Sequence, residues 1–198
     1  VKKMGLRHVV ITSVDRDDLK GDYGASIWAD TIKQTKKINP ECTVEVLTPD
    51  FKGYEPALKI VFDAKPDIFS HNVECVERIS KAVRAQANWQ RSLGVLEKSI
   101  QHGLRTKTGI MVGLGEEVEE VKKTMRQVVD LGVQIFTIGQ YLQPTKNHLK
   151  VEEYISKEQF ELYKEYGYSI GFKVVESGPL VRSSYHADEQ ARMVFNNG

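Results

Sequence analysis

Arg182-Ser183-Ser184-Tyr185-His186 is a dense run of donors directly behind an apolar stretch and a Gly178-Pro179 turn. Guanidinium and hydroxyl groups so concentrated suit an anion such as phosphate. Nothing intrinsic makes a serine a metal ligand: its hard oxygen binds iron weakly where iron-sulfur sites use soft thiolate, so such a bond would be easily lost. His71-Asn72-Val73-Glu74 offers a different chemistry. In an extended segment Asn72 and Glu74 share one face, where an amide and a carboxylate could hold the hydroxyls of a ribose and an ammonium group. The alternative is a strand-end turn in which Asn72 bonds local backbone.

Gly109-Ile110-Met111-Val112-Gly113-Leu114-Gly115-Glu116 runs from a strand into a helix start, and its glycines let a flat ligand approach the backbone. A tight turn with Glu116 as an N-terminal charge would read the same way. It is not a dinucleotide fingerprint, because the G-x-G-x-x-G spacing is absent. Thr12-Ser13-Val14-Asp15-Arg16-Asp17-Asp18-Leu19 carries three carboxylates. A magnesium or calcium site is conceivable there, but Arg16 in their midst favours caps and loop salt bridges. Lys107 lies mid-strand, where it could form a Schiff base with a carbonyl substrate or snorkel outward to water.

These residues need a scaffold, and the pattern alternates short β-rich apolar runs with amphipathic stretches of helical period, which argues for βα units and a parallel sheet. Strands are expected over residues 8–13, 43–47, 67–73, 105–112 and 134–141, with a final short one over 172–175. Helices are expected over 25–38, 55–64, 88–102, 116–131 and 157–170. The helix from Glu116 places Val118, Val121, Met125, Val128 and Val129 on one stripe and stops at Gly132. Such a series folds as a barrel or an open doubly wound sheet, and in both the chemistry sits at the C-terminal strand ends. The polar runs follow the strands, as that rule requires.

Composition narrows the rest. The 198 residues are 40% hydrophobic and 28% charged, with 28 basic and 27 acidic side chains interspersed to a net charge of +1. That is one domain over residues 1–198, with no basic stripe for nucleic acid and no polybasic tract for a membrane surface. No apolar run spans a bilayer. Cys42 and Cys75, far apart, form no disulfide framework, and reduced thiols place the chain in the cytosol or an organelle matrix. The opening Val1-Lys2-Lys3-Met4-Gly5 reads as the last turn of a helix, so further chain is expected ahead of it.

The blocks Val9 to Leu19, Val44 to Leu47 with Pro49-Asp50-Phe51, His71 to Glu74, Gly139 to Pro144 and the closing Arg-Ser-Ser-Tyr run together resemble lipoyl synthases, in order and over essentially the whole chain. The resemblance implies a partial (β/α)6 barrel of the radical S-adenosylmethionine (SAM) type, lacking its first βα unit, with residues 171–198 as a cluster-capping segment. It implies sulfur insertion at carbons six and eight of an octanoyl chain borne by a lipoyl-carrier domain or H protein, in lipoate biosynthesis. Two 4Fe-4S clusters are implied: one cleaves SAM to a 5'-deoxyadenosyl radical, and an auxiliary one donates sulfur. A flavodoxin or ferredoxin would supply electrons. Asn72, Glu74, Arg84, Gly109, Gly113, Glu116, Gln140 and Leu142 would face SAM, and Ser184 would be the auxiliary cluster's non-cysteine ligand. The family's two cysteine triplets are not in this sequence, so the chain by itself would be inactive, and no catalytic side chain is assigned. Cys75 stands where threonine is usual and Ala85-Gln86 where Pro-Gly is; Cys75 is read as a bystander thiol. Two other readings are a cluster-free aldolase-type enzyme using Lys107 and a non-catalytic module that binds a lipoyl-carrier domain.

Overall fold

The computed structural model describes residues 1–86 and 88–196; the last two residues of the 171–198 segment lie outside it. Six strands form one sheet in sequential order: β1 (His8–Thr12), β2 (Thr43–Leu47), β3 (Ile68–Ser70), β4 (Thr106–Val112), β5 (Ile135–Gln140) and β6 (Val174–Gly178). All five pairings are parallel. The helices are α1 (Ala25–Ile38), α2 (Glu55–Asp63), α3 (Ser80–Val83), α4 (Trp89–Gln101), α5 (Val118–Asp130), α6 (Lys157–Ser169) and α7 (Ala187–Asn196). The chain is therefore α/β with a barrel-like parallel sheet, and the expected final strand begins later and runs longer than the sequence suggested.

Each helix forms for a local reason and is fixed by what it buries. In α5, Glu117 and Glu120 close a reciprocal capping box, while Val121, Met125 and Val128 are buried. Burying each of these side chains is worth roughly 1.5–3 kcal/mol, more than the helix's intrinsic propensity supplies. Ser156 and Asn88 cap α6 and α4 through their side-chain oxygens. At the start, Lys2–Met4 is a single 3-10 turn ending at Gly5 in the left-handed conformation, the helix-end signature expected there.

Alternation along the strands sorts the side chains into two sets. Val44, Val46 and Phe69 pack outward with α1 and α2 residues such as Trp28, Ile32 and Leu58. Ile110, Val112, Phe136, Ile138 and Val175 do the same against α4, α5 and α6. The residues between them face the lumen. There Ile68, Ile135 and Val174 meet Ala191 and Val194 of α7, which packs against both β1 and β6. Those two strands are the edges of the sheet, so α7 spans the seam near the strand starts. Neither α7 nor α3 was expected from the sequence.

Candidate ligand site at the strand ends

The site begins where β3 stops short. Residues 67–73 were expected as one strand, but the ladder breaks after Ser70 because Thr108 substitutes for a backbone partner. Its hydroxyl donates to the His71 carbonyl at 2.7 Å and accepts from the Val73 N–H at 3.3 Å. Glu74 then adopts φ 71°, a left-handed conformation costly for a residue with a side chain. Pairing resumes immediately: the Glu74 N–H donates to the Gly109 carbonyl, and the Met111 N–H to the Glu74 carbonyl at 2.8 Å. This kink, rather than a regular strand, carries Asn72 and Glu74 to the same place.

That place is a cavity of about 220 Å³ lined by Asn72, Glu74, Gly109, Thr137, Arg182 and Ser183 among others. The Asn72 side chain makes no hydrogen bond among the described residues, and its Oδ1 is shut away from solvent without a partner. A buried amide oxygen left so is costly until something donates to it. Burial pushes the Glu74 carboxyl above the usual carboxylate range, and the Arg84 guanidinium opposes that shift. Arg84 lines the small adjoining cavity with Asn72 and Glu74 and is held by Asp15 across the rim at 3.2 Å.

The wall opposite comes from the C-terminal segment. Gly139 is required there: a Cβ would collide with the Val181 carbonyl. Arg182 ties the crossing to β5 by donating to the Gln140 carbonyl at 3.5 Å, while the same guanidinium nitrogen bonds the neighbouring Val181 carbonyl at 2.7 Å. Ser183 reaches the cavity, whereas Ser184 is exposed on the turn that follows, its hydroxyl making no hydrogen bond among the described residues.

Four of the residues expected to face a ligand are placed otherwise. The Glu116 carboxylate accepts from the Gly113 and Leu114 N–H groups, the latter at 2.9 Å, and so closes its own turn. The Gln140 amide is fully engaged as a staple. It accepts from the Ile155 N–H at 2.9 Å and donates to the Tyr141 and Glu153 carbonyls, each at 3.0 Å. Gly113, at φ 99°, leaves the room this staple occupies. Leu142 is 47% exposed on the segment beyond it. Gly113, Glu116, Gln140 and Leu142 thus shape the rim, while Asn72, Glu74, Gly109 and Arg84 border the two cavities. Thr137 was missed, although strand alternation from Gly139 would have pointed to it; Arg182 and Ser183 belong to the run read as suiting an anion, but were not expected to line the same cavity as Asn72 and Glu74.

The other candidates resolve as salt bridges or as core. Asp15, Asp17 and Asp18 pair with Arg84, Lys52 and Arg16 respectively, and no cluster suited to a metal ion occurs among the described residues. Lys107 does not snorkel outward. It is wholly buried in the lumen, 2.9 Å from the equally buried Glu45, because its neighbours Thr106 and Thr108 take the other face of β4. A lysine so enclosed is closed to a carbonyl substrate. His71 donates from Nδ1 to the Thr48 carbonyl at 3.0 Å, leaving Nε2 to accept from the Ser92 hydroxyl at 3.1 Å, and burial lowers its pKa, so it serves as a neutral spacer. Both cysteines are buried and free. Burial, with the Glu74 charge adding, pushes the Cys75 thiol up to about 12, which makes it inert.

Comparison with known proteins places this geometry in a family. Residues 1–128 match the radical SAM superfamily. The lipoyl synthase of Rubrobacter xylanophilus is 57% identical over 192 residues, an alignment covering 96% of this chain and 60% of that relative. That of Phocaeicola vulgatus is 53% identical, covering 97% of this chain and 67% of the relative; that of Flavobacterium psychrophilum is 54% identical, covering 96% and 65%. The chain thus spans between 60% and 67% of the length of these relatives. Among solved structures, methylornithine synthase superposes with a TM-score of 0.64 at 11% identity, over 90% of this chain and 59% of that one. That likeness concerns the fold.

Proposed function

This chain belongs to the lipoyl synthase family of the radical SAM superfamily, and from that membership we propose that it forms the SAM-facing part of an enzyme inserting two sulfurs into a protein-bound octanoyl chain. The observation that carries the reading is the unpartnered Asn72 amide, set against a glycine-floored cavity under a serine-bearing segment. Those residues fit SAM. The glycine backbone admits a flat base, and Asn72 Oδ1 needs the donor that a ribose hydroxyl provides. Glu74 offers a carboxylate to an ammonium group. Arg84, which donates to the Asp15 carboxylate, would donate likewise to the methionyl carboxylate.

When bound, SAM with its 4Fe-4S cluster supplies the oxidant that removes hydrogen from unactivated carbon, and an auxiliary 4Fe-4S cluster supplies sulfur. The chain's own groups bind, orient and enclose. Gln140 fixes the segment from Tyr141 to Ile155 against Gly113, Arg182 holds the C-terminal crossing over the mouth, and both restrict water. Cysteine ligands for the clusters would come from sequence outside this chain, since its two thiols are buried. Ser184, exposed and with its hydroxyl unbonded among the described residues, would bind the auxiliary cluster. Its hard oxygen makes a weak bond to iron, which suits a corner that must open as sulfur leaves. Partners on this reading are an octanoylated lipoyl-carrier domain or H protein and a flavodoxin- or ferredoxin-type donor. The compartment would be the cytosol or an organelle matrix, where such thiols stay reduced.

The ligand assignment has a direct test in the full-length, cluster-loaded enzyme. Ser184→Ala should leave reductive SAM cleavage within about threefold of the parent while lowering lipoyl product by at least about 100-fold. Product formed at the parent rate by Ser184→Ala would remove Ser184 from the cluster.

A further inference from the structure

Beside Asn72, the cavity holds a second polar side chain with nothing to bond. Thr137 on β5 is only 4% exposed, lines the cavity, and makes no side-chain hydrogen bond among the described residues. Thr106 and Thr108 on the adjacent strand behave differently: one hydroxyl bonds Ser99 at 2.7 Å and the other the His71 carbonyl at 2.7 Å. Gly109 lies between Thr137 and Asn72. A Cβ there would collide with the Thr137 hydroxyl and would stand 3.4 Å from Asn72 Oδ1, so the two oxygens flank one patch of bare backbone. Register agrees, because Gly109 pairs directly with Thr137 across the β4–β5 ladder.

An acceptor and a hydroxyl facing each other across a glycine match two adjacent hydroxyls on one ligand. We infer that Thr137 and Asn72 grip a vicinal diol, the ribose of SAM, with Asn72 Oδ1 accepting from one hydroxyl and Thr137 Oγ1 bonding the other. The inference rests on the reading of this cavity as a SAM site and extends it by giving β5 a side-chain contact. Thr137 is then a binding residue whose hydroxyl senses whether the ribose is intact.

The test uses the full-length, cluster-loaded protein and equilibrium binding of SAM and of 5'-deoxyadenosine, the latter compared with its analogues lacking the 2'- or the 3'-hydroxyl. Thr137→Val keeps the shape and removes the hydroxyl; it should weaken both ligands about 5- to 30-fold and abolish discrimination against one of the two deoxy analogues. Thr137→Ser should bind within about threefold of the parent. Melting curves matching the parent's would exclude a folding defect, and the serine variant carries the test if valine does not fold. Parent-like affinity together with parent-like discrimination in Thr137→Val would overturn the inference. If Asn72→Ala also binds like the parent, the SAM reading of the cavity falls with it; if only Asn72→Ala weakens binding, the reading stands and Thr137 alone is removed.

Discussion

Lys107→Met is expected to lower the unfolding free energy by about 3–5 kcal/mol, the usual consequence of leaving a buried charge without its partner. Glu45 and Lys107 are both fully buried, 2.9 Å apart, on β2 and β4 with β3 between them. They therefore meet across the lumen. His8 approaches the other Glu45 oxygen at 3.5 Å, too far to replace the lysine. The pair itself is a different matter, because desolvating both charges offsets much of their attraction. The double variant Glu45→Leu with Lys107→Met should accordingly recover most of the loss, and a double-mutant cycle by denaturant unfolding measures both. Equal losses for the single and the double variant would show that the pair does not stand alone in the lumen.

Gly109→Ala should weaken SAM binding by about 10- to 100-fold while the protein still folds. Overpacking a close-packed site commonly costs about 1–3 kcal/mol, and the added methyl would meet both the Thr137 hydroxyl and, at 3.0 Å, its carbonyl oxygen. β4 is paired on both sides, so it has no room to retreat; the methyl would instead occupy the patch left bare for the ligand. Circular dichroism and equilibrium dialysis of the full-length enzyme separate folding from binding. Parent-like affinity would mean that no ligand lies against Gly109.

Much of this scaffold is legible from periodicity. The α1 limits, Ala25–Ile38, and the β2 limits, Thr43–Leu47, follow directly from the sequence, since an apolar stripe at helical spacing and a short β-branched run leave few alternatives. The failures share physical causes. Lys107 was left between an inward and an outward face because β4 is buried on both sides, which erases the alternation that would reveal orientation. The break in β3 depends on the Thr108 hydroxyl displacing a ladder bond, a choice made by a residue on another strand. α7 buries Ala187, Ala191 and Val194 with the polar Gln190 among them, too thin an apolar stripe to stand out. Its stability comes from plugging the lumen between β1 and β6, which no local window contains.

The site divides in the same way. Asn72 and Glu74 were legible as a two-apart pair, and the structure brings them together by a kink instead of a straight strand. Gln140 and Glu116 were expected at the ligand through the family resemblance, which carries over a position and not its hydrogen-bond partners. Their partners are backbone groups of the next segment, visible only once residues 141–155 fold back on Gly113. Thr137 went unnoticed because a threonine inside a strand ordinarily signals β-propensity; its open hydroxyl is a fact of tertiary packing.

The measurement that bears most directly on the function is made on the full-length enzyme, reconstituted with its clusters and supplied with SAM, a one-electron reductant and an octanoylated lipoyl-carrier domain. The mass of the modified lysine peptide should shift from octanoyl to lipoyl, with one 5'-deoxyadenosine formed for each hydrogen removed. An octanoyl peptide left unchanged while SAM is cleaved would contradict the assignment of this chain to sulfur insertion.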